Sequence, residues 1–124
     1  MGLELAATEI RDRPSTTKTG RELTARLLAD NPDLDCIYYS NDDLAAGGAF
    51  HCIAAGISVP DRVALAGFNG LDIVESLPVS VSTSRTPRRK IGRTAGEYIV
   101  RANKSDEARE KRLFAFTPSL EVRM

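Results

Sequence analysis

The most informative stretch of the sequence runs from Cys36 to Phe68 and reads CIYYSNDDLAAGGAFHCIAAGISVPDRVALAGF. It begins with a short apolar run, continues through a segment with helical features, and ends in a second apolar run at Val63–Phe68. Short unbroken apolar runs are typical of strands that are buried on both faces of a sheet. A strand, a helix and a strand within about thirty residues predict a βαβ unit with parallel strands and a right-handed crossover.

Local signals mark both ends of the helix inside this unit. Asn41 or Asp42 can cap its N-terminus, and Gly56 stands where a C-terminal glycine in the left-handed conformation belongs. The helix is therefore predicted over about Asp42–Ala55. The other predicted elements are a strand at Leu3–Ile10, a helix capped by Thr19, a strand at Val81–Thr83, a helix at Arg88–Ala102, and closing strands at Leu113–Phe116 and Leu120–Val122. The predicted fold class is α/β.

Composition and charge narrow the functional class. Apolar residues make up 42% of the 124 residues and charged residues 27%, as in an ordinary globular domain. Seventeen basic residues balance seventeen acidic ones, which removes a strong electrostatic case for DNA binding by this chain alone. No apolar run approaches the ~20 residues needed to span a bilayer, and the N-terminus does not resemble a secretory signal. We therefore expect a cytoplasmic protein with no membrane partner.

Polar residues follow each of the two apolar runs, at Ser40–Asp43 and at Phe68–Asp72. Ligands of open parallel sheets bind at the carboxyl ends of strands. If the two strands are neighbours, Asn41 and Asn69 share one edge of the sheet, where their amides could bind the hydroxyl groups of a polyol. Two simpler interpretations stay open: Asn41 or Asp42 only caps the helix, and Asn69-Gly70 is only a turn.

The sequence gives little support for catalysis or metal binding. Adjacent residues such as Asp42 and Asp43 usually point in different directions, and His51 falls in the middle of a predicted helix, away from the strand ends. Cys36, His51 and Cys52 would be a poor set of zinc ligands, so we expect no metal and no cofactor. Both cysteines are interpreted as small core residues. The protein is predicted not to be an enzyme.

The helix that begins near Leu44 has almost no charged face. Such a helix must be buried on more than one side. One side would meet the sheet, and the small residues at Gly47 and Gly48 would permit close approach of another helix. That helix could belong to a second subunit or to the same chain.

Three stretches together resemble the effector-binding domain of the lactose-repressor (LacI/GalR) family of bacterial transcription regulators. They are Ile37–Gly47 with its SNDDLAAG core, Gly56–Asn69 with ISVPDRVALAGFN, and Val81–Gly92 with VSTSRTPRRKIG. The motif FNGLDI at Phe68–Ile73 looks most like the gluconate-repressor branch. The resemblance implies a periplasmic-binding-protein-like (type I) domain of two lobes. Residues 1–124 would be its C-terminal part, incomplete, with helix 88–102 belonging to the other lobe and with no counterpart of the DNA-binding domain.

The resemblance also assigns roles to individual residues. The implied effector contacts are Asn41, Asn69, Thr86, Arg88 and Ser15. Aspartate is common in the family at the position of Asn69, and glutamine at that of Thr86; the neutral amide at 69 would suit an anionic effector such as gluconate. The implied dimer interface consists of Leu44, Gly47, Gly48, Phe50, His51, Ile73 and Leu77.

The function implied is that of the sensing and dimerisation part of a regulator that responds to a sugar or sugar acid. The intact protein would be a homodimer and would bind operator DNA through a domain not present in this chain, with the effector acting allosterically. Two alternatives stay open. One is part of a periplasmic-type sugar-binding protein, and the other is a stand-alone module that pairs with other subunits.

Overall fold

The computed structural model describes residues 5–103 and 112–124. It contains four helices and four strands among these residues, in the order α1 (Thr17–Asp30), β1 (Cys36–Tyr38), α2 (Asp42–Ala55), β2 (Ala64–Asn69), α3 (Asp72–Glu75), β3 (Val81–Arg85), α4 (Arg88–Ala102) and β4 (Ser119–Glu121). The strands form one sheet in the order β1-β2-β3-β4, in which β1 pairs parallel with β2 and β2 parallel with β3. The predicted α/β class and βαβ unit are confirmed.

The chain divides into two compact units. The first comprises the described residues up to Arg85 together with Leu120–Met124, and the second comprises the described residues from Thr86 to Ser119. The first unit holds the core, in which Leu65, Val63, Val74 and Val81 are fully enclosed. In this unit α2 packs against β2 and β3, and α1 packs against α2.

The caps explain the helix boundaries. Asn41 is the N-cap of α2 and Gly56, with φ 67°, is its left-handed C-cap, as the sequence indicated. In α1 the predicted cap was wrong, because Thr16 and not Thr19 is the N-cap. The Thr16 hydroxyl accepts a hydrogen bond from the Thr19 backbone N–H at 3.1 Å.

The strands are buried on one face, which corrects the prediction of burial on both. Ile37 is buried, whereas its neighbours Cys36 and Tyr38 in β1 are exposed. The same alternation continues through β2 and β3. Only the residues that face α2 and its neighbours enter the core, so Cys36 is not a core residue, while Cys52 is.

Two predicted strands are absent from the described residues. Leu5–Ile10 contains no strand, and Leu5 and Ile10 are both largely exposed; Leu3 and Glu4 lie outside the described residues. Leu113–Phe116 also forms no strand, and Phe114 packs edge-on against the Tyr98 ring, with centroids 5.9 Å apart. The last predicted strand exists and is shifted by one residue, to Ser119–Glu121.

Two glycines set the close approach of α1 and α2, and a third leaves room for Tyr39. A β-carbon on Gly20 would collide with the backbone of Leu44, and one on Gly47 would collide with the carbonyl of Thr17. A β-carbon on Gly48 would strike the Tyr39 hydroxyl. The small residues of α2 therefore face a helix of the same chain, which was one of the two possibilities that the sequence left open.

None of the helices in the described part of the chain is long and apolar enough to cross a membrane.

Candidate functional site

The carboxyl ends of three strands meet at one edge of the sheet. The register pairs Tyr38 of β1 with Ala66 of β2, and Asn69 of β2 with Arg85 of β3. Since β1 and β2 are parallel neighbours, Asn41 and Asn69 follow them on the same side. The structure thus places the two asparagines that the sequence singled out at the same edge of the sheet, which we call the Asn41/Asn69 edge.

Asn41 has a structural role at this edge. Its extended backbone leads into α2, and its Oδ1 accepts a hydrogen bond from the Leu44 N–H at 3.0 Å. The cap thus uses the side-chain oxygen. The Nδ2 group is the part of the half-buried side chain that has donors to offer a ligand.

Asn69 has an unusual backbone. It ends β2 with φ 110°, a positive value that residues with a β-carbon rarely adopt, and Gly70 follows with φ 66°. Such a conformation costs about 1–3 kcal/mol and persists only when neighbouring contacts enforce it. Those contacts come from α2 and β3.

Asp42 is the main source of these contacts. It is the first residue of α2 and is fully buried. Its Oδ1 accepts from the Thr83 hydroxyl at 2.8 Å, and its Oδ2 accepts from the Leu71 N–H at 2.6 Å. The N-terminal end of α2 also favours a negative charge at this position. The carboxylate therefore joins the start of α2 to β3 and to the loop after β2.

Thr83 extends this contact to the neighbouring peptide. Its buried hydroxyl accepts from the Gly70 N–H at 3.2 Å while it donates to Asp42. From the other side, the Arg85 Nη1 donates to the Gly70 carbonyl at 3.0 Å. Successive peptide groups beside Asn69 are thus held from two directions. Sequence reasoning missed this arrangement, because it weighed Asp42 as a helix cap and, beside Asp43, as a catalytic residue, and it gave Thr83 no role.

An ion-pair cluster lies next to this loop. Arg85 contacts Glu75 and Glu121, with 2.5 Å between its Nε and the Glu121 Oε1. Arg123 lies 3.5 Å from Glu75 and 3.3 Å from Glu121. The hydrogen bond from Arg85 holds the pKa of the Glu121 carboxyl below its usual value, and the bond to Glu121 in turn raises the pKa of Arg85. The cluster fixes the Arg85 side chain whose Nη1 holds Gly70.

The other predicted effector contacts lie elsewhere in the chain. Ser15 is exposed and directly precedes the cap of α1. Thr86 and Arg88 belong to the second unit, where the Arg88 N–H donates to the Thr86 carbonyl at 2.8 Å. Their part in an effector site stays a prediction.

The predicted dimer residues divide into two groups. Leu44, Gly47 and Gly48 are buried within the chain, and Ile73 and Leu77 are partly buried against its core. Phe50 is 45% exposed and His51 is half-buried, so these two residues leave part of the outer face of α2 accessible.

A cavity of about 320 Å³ runs beside α1 and is lined by Arg11, Arg13, Thr19, Glu22, Leu23 and Arg26. Glu9 already pairs with two of its arginines, Arg11 at 3.2 Å and Arg26 at 3.9 Å. Among the described residues, no group of three or more His, Cys, Asp or Glu side chains is arranged to hold a metal ion.

Comparison with known proteins places the chain in a family. The family model described as a periplasmic binding protein-like domain matches residues 1–124. The chain belongs to this family. The LacI-family resemblance inferred from the sequence is confirmed, and the relatives named GntR support the gluconate-repressor branch.

Curated relatives are bacterial transcriptional regulators. The HTH-type transcriptional regulator GntR of Pseudomonas aeruginosa is 37% identical over 112 residues, which are 90% of this chain and 32% of that protein. The HTH-type transcriptional regulator IdnR of Escherichia coli K12 is 34% identical over 93 residues, which are 75% of this chain and 28% of that protein. The chain thus spans about a third of the length of these relatives.

A solved structure agrees with the sequence relatives. The transcription regulator GntR from Chromobacterium violaceum superposes with a TM-score of 0.77 at 34% identity, over 89% of this chain and 41% of that one. The relatives are transcriptional regulators and not enzymes.

Proposed function

We propose that this chain is the effector-sensing part of a bacterial transcriptional regulator and that its effector is a sugar acid of the gluconate type. The observation that carries the proposal is the position of Asn41 and Asn69 at one edge of the parallel sheet, where open α/β folds bind ligands. The relatives named GntR and IdnR support the choice of effector.

The chemistry of the edge suits a polyhydroxylated anion. An amide donates through its nitrogen and accepts through its oxygen, as a sugar hydroxyl requires. Asn69 is neutral, whereas an aspartate at this position would repel the carboxylate of a sugar acid. A sugar acid, which carries both hydroxyl groups and a carboxylate, suits the amides at this edge.

The regulator as a whole would be a cytoplasmic homodimer that binds operator DNA through another part of the protein. The effector would change DNA affinity by binding one conformation better than another. The similar proteins described above are transcriptional regulators and not transport proteins, which favours this function over a periplasmic sugar carrier.

The outer face of α2 is the proposed dimer surface. Phe50 and Ile53 lie on it and are 45% and 43% exposed. Large apolar side chains exposed side by side favour contact with a partner.

Calorimetric titration with gluconate and glucose tests the proposed effector. Glucose carries similar hydroxyl groups but has no carboxylate and is mainly cyclic, whereas gluconate is an open-chain acid, so glucose serves as the neutral control. We expect gluconate to bind more tightly than glucose. Equal affinity for the two ligands, or no binding of gluconate, would contradict the sugar-acid effector.

A further inference from the structure

We propose that Asp42 is a positioning residue of the effector site, which fixes Asn41 and Asn69 relative to each other without contacting the effector. The inference rests on the proposed function only for its ligand-binding readout. Its structural basis is the pair of hydrogen bonds that the buried carboxylate accepts from Thr83 and from the Leu71 N–H.

The burial of Asp42 needs an explanation that capping does not provide. A buried carboxylate is costly unless hydrogen bonds satisfy it. Asn41 already caps α2, so Asp42 is not required for that role. Both Asp42 oxygens instead reach across to residues 29 and 41 positions later in the chain.

The surrounding chain leaves space for this carboxylate. A β-carbon on Gly67 would collide with the Asp42 Oδ1 and would lie 3.0 Å from the Ala45 β-carbon. Glycine at this point of β2 therefore lets the carboxylate pass beneath the strand to Thr83. The buried Asp42 and the absence of a side chain at Gly67 thus both serve the contact between Asp42 and Thr83.

The consequence for the site follows from the connections at the two ends of Asp42. On one side Asp42 is covalently bonded to Asn41. On the other side it holds Leu71 directly and Gly70 through Thr83, and these are the two residues that follow Asn69. Asn69 keeps its positive φ because the next two peptides are held in this way.

The test uses the full chain and four variants. Asp42→Asn removes the charge and replaces one of the two acceptor oxygens with an N–H donor, and Asp43→Asn is its control at the adjacent position. Thr83→Val removes the hydroxyl with little change of shape, and Thr83→Ser restores it. Hydrogen exchange of the Gly70 and Leu71 amides, together with the NMR signal of the Asn69 side-chain amide, reports the loop in the absence of any ligand.

We expect Asp42→Asn and Thr83→Val to speed exchange at Gly70 by about 10-fold or more, as loss of a buried hydrogen bond predicts. The Asn69 signal should shift in both variants and stay in place in Asp43→Asn and Thr83→Ser. If Asp42→Asn does not fold, the two Thr83 variants decide. Exchange and Asn69 signals that are the same in Thr83→Val and Thr83→Ser would overturn the proposal.

A gluconate titration of the same variants separates this inference from the proposed function. We expect affinity to fall by about 10-fold in Thr83→Val and to be restored in Thr83→Ser. Failure of the unmodified chain to bind gluconate would count against the proposed effector, while the exchange data would still judge the role of Asp42. Unchanged affinity in Thr83→Val, with gluconate binding intact in the unmodified chain, would overturn the positioning role.

Discussion

The Tyr39 hydroxyl lies 2.7 Å from the Thr24 hydroxyl, inside the contact between α1 and the residues that follow β1. Thr24 also donates to the Gly20 carbonyl at 2.7 Å, so the Tyr39 hydroxyl is the donor to the Thr24 oxygen. Both residues are buried, and Gly48 leaves room for the tyrosine ring. One pair of hydroxyls thus connects the first helix to the sheet.

Replacing Tyr39 with phenylalanine removes one hydrogen bond and keeps the ring. We expect the free energy of unfolding to fall by about 0.5–1.5 kcal/mol, because Thr24 keeps its bond to the backbone. Denaturant unfolding measures the change. Tyr38→Phe, at an exposed tyrosine, is the control, and an equal loss in the two variants would contradict this role of Tyr39.

The same tyrosine should titrate abnormally. Burial raises the pKa of Tyr39 well above its usual value, so the folded chain keeps this proton at a pH where an unfolded tyrosine loses it. The stability that depends on this proton is present below the unfolded pKa of about 10 and is lost as the pH rises above it. In a pH titration followed by ultraviolet absorbance, part of the phenolate signal should appear only at a higher pH than the rest, and Tyr39→Phe should remove that part. A titration that Tyr39→Phe leaves unchanged would be inconsistent with this burial.

The crossing of α1 and α2 predicts a strong position dependence of glycine substitution. Gly47→Ala places a methyl group against the backbone of α1, and overpacking of this kind costs about 1–3 kcal/mol. Gly96→Ala in α4 meets open space and should be neutral or stabilising by up to about 1 kcal/mol. Thermal unfolding compares the two, and similar effects would argue against tight packing at Gly47.

The ion-pair cluster around Arg85 predicts loss of stability in acid. Because Arg85 lowers the folded-state pKa of Glu121, this stability is present above the ordinary value of 4.5 and is lost as the pH falls below it. Glu121→Gln should therefore flatten the acid limb of the stability profile. An unchanged profile in this variant would show that the cluster does not contribute.

How far the sequence could predict the structure depends on the range of the interactions. The bounds of α2 and α4 were predicted, and those of α2 rest on Asn41 and Gly56, which are local signals next to the helix that they delimit. The one-sided burial of the strands was not, since it depends on which face of the sheet α2 covers. The absence of strands at Leu5–Ile10 and Leu113–Phe116 was not predicted either.

The candidate site divides in the same way. Its edge could be predicted from strand order and from two asparagines. The connection through Asp42 could not, because Thr83 lies 41 residues away and an aspartate at a helix start is ordinarily a cap. The only hint in the sequence was the glycine at Gly67 within a predicted strand. Its role becomes clear only from the structure, which places the Asp42 carboxylate next to it.

Substitution at Asn69 tests the proposed recognition of an anion. Asn69→Ala should weaken gluconate binding by about 1–3 kcal/mol, the cost of an unpaired polar contact. Asn69→Asp should weaken gluconate more than glucose, because a carboxylate beside the effector's own carboxylate is repulsive. Calorimetry with both ligands gives the difference, and an equal effect on gluconate and glucose would be evidence against charge discrimination at this position.

The outer face of α2 predicts the oligomeric state. Phe50→Glu should shift sedimentation equilibrium from dimer towards monomer, because a charge would be buried in an apolar contact. Leu113→Glu, at a side chain that is 97% exposed, is the control and should not change association. Dimers that persist in Phe50→Glu would place the interface elsewhere.

The most direct test of the central claim is an NMR titration of the chain with gluconate, observed at the side-chain amides of Asn41 and Asn69. Even millimolar affinity, about 4 kcal/mol, is measurable in this way. We expect both amide signals, and that of Gly70, to shift together and to saturate, while glucose causes smaller shifts. Saturable shifts confined to other residues, or no shifts at all, would contradict effector binding at the Asn41/Asn69 edge.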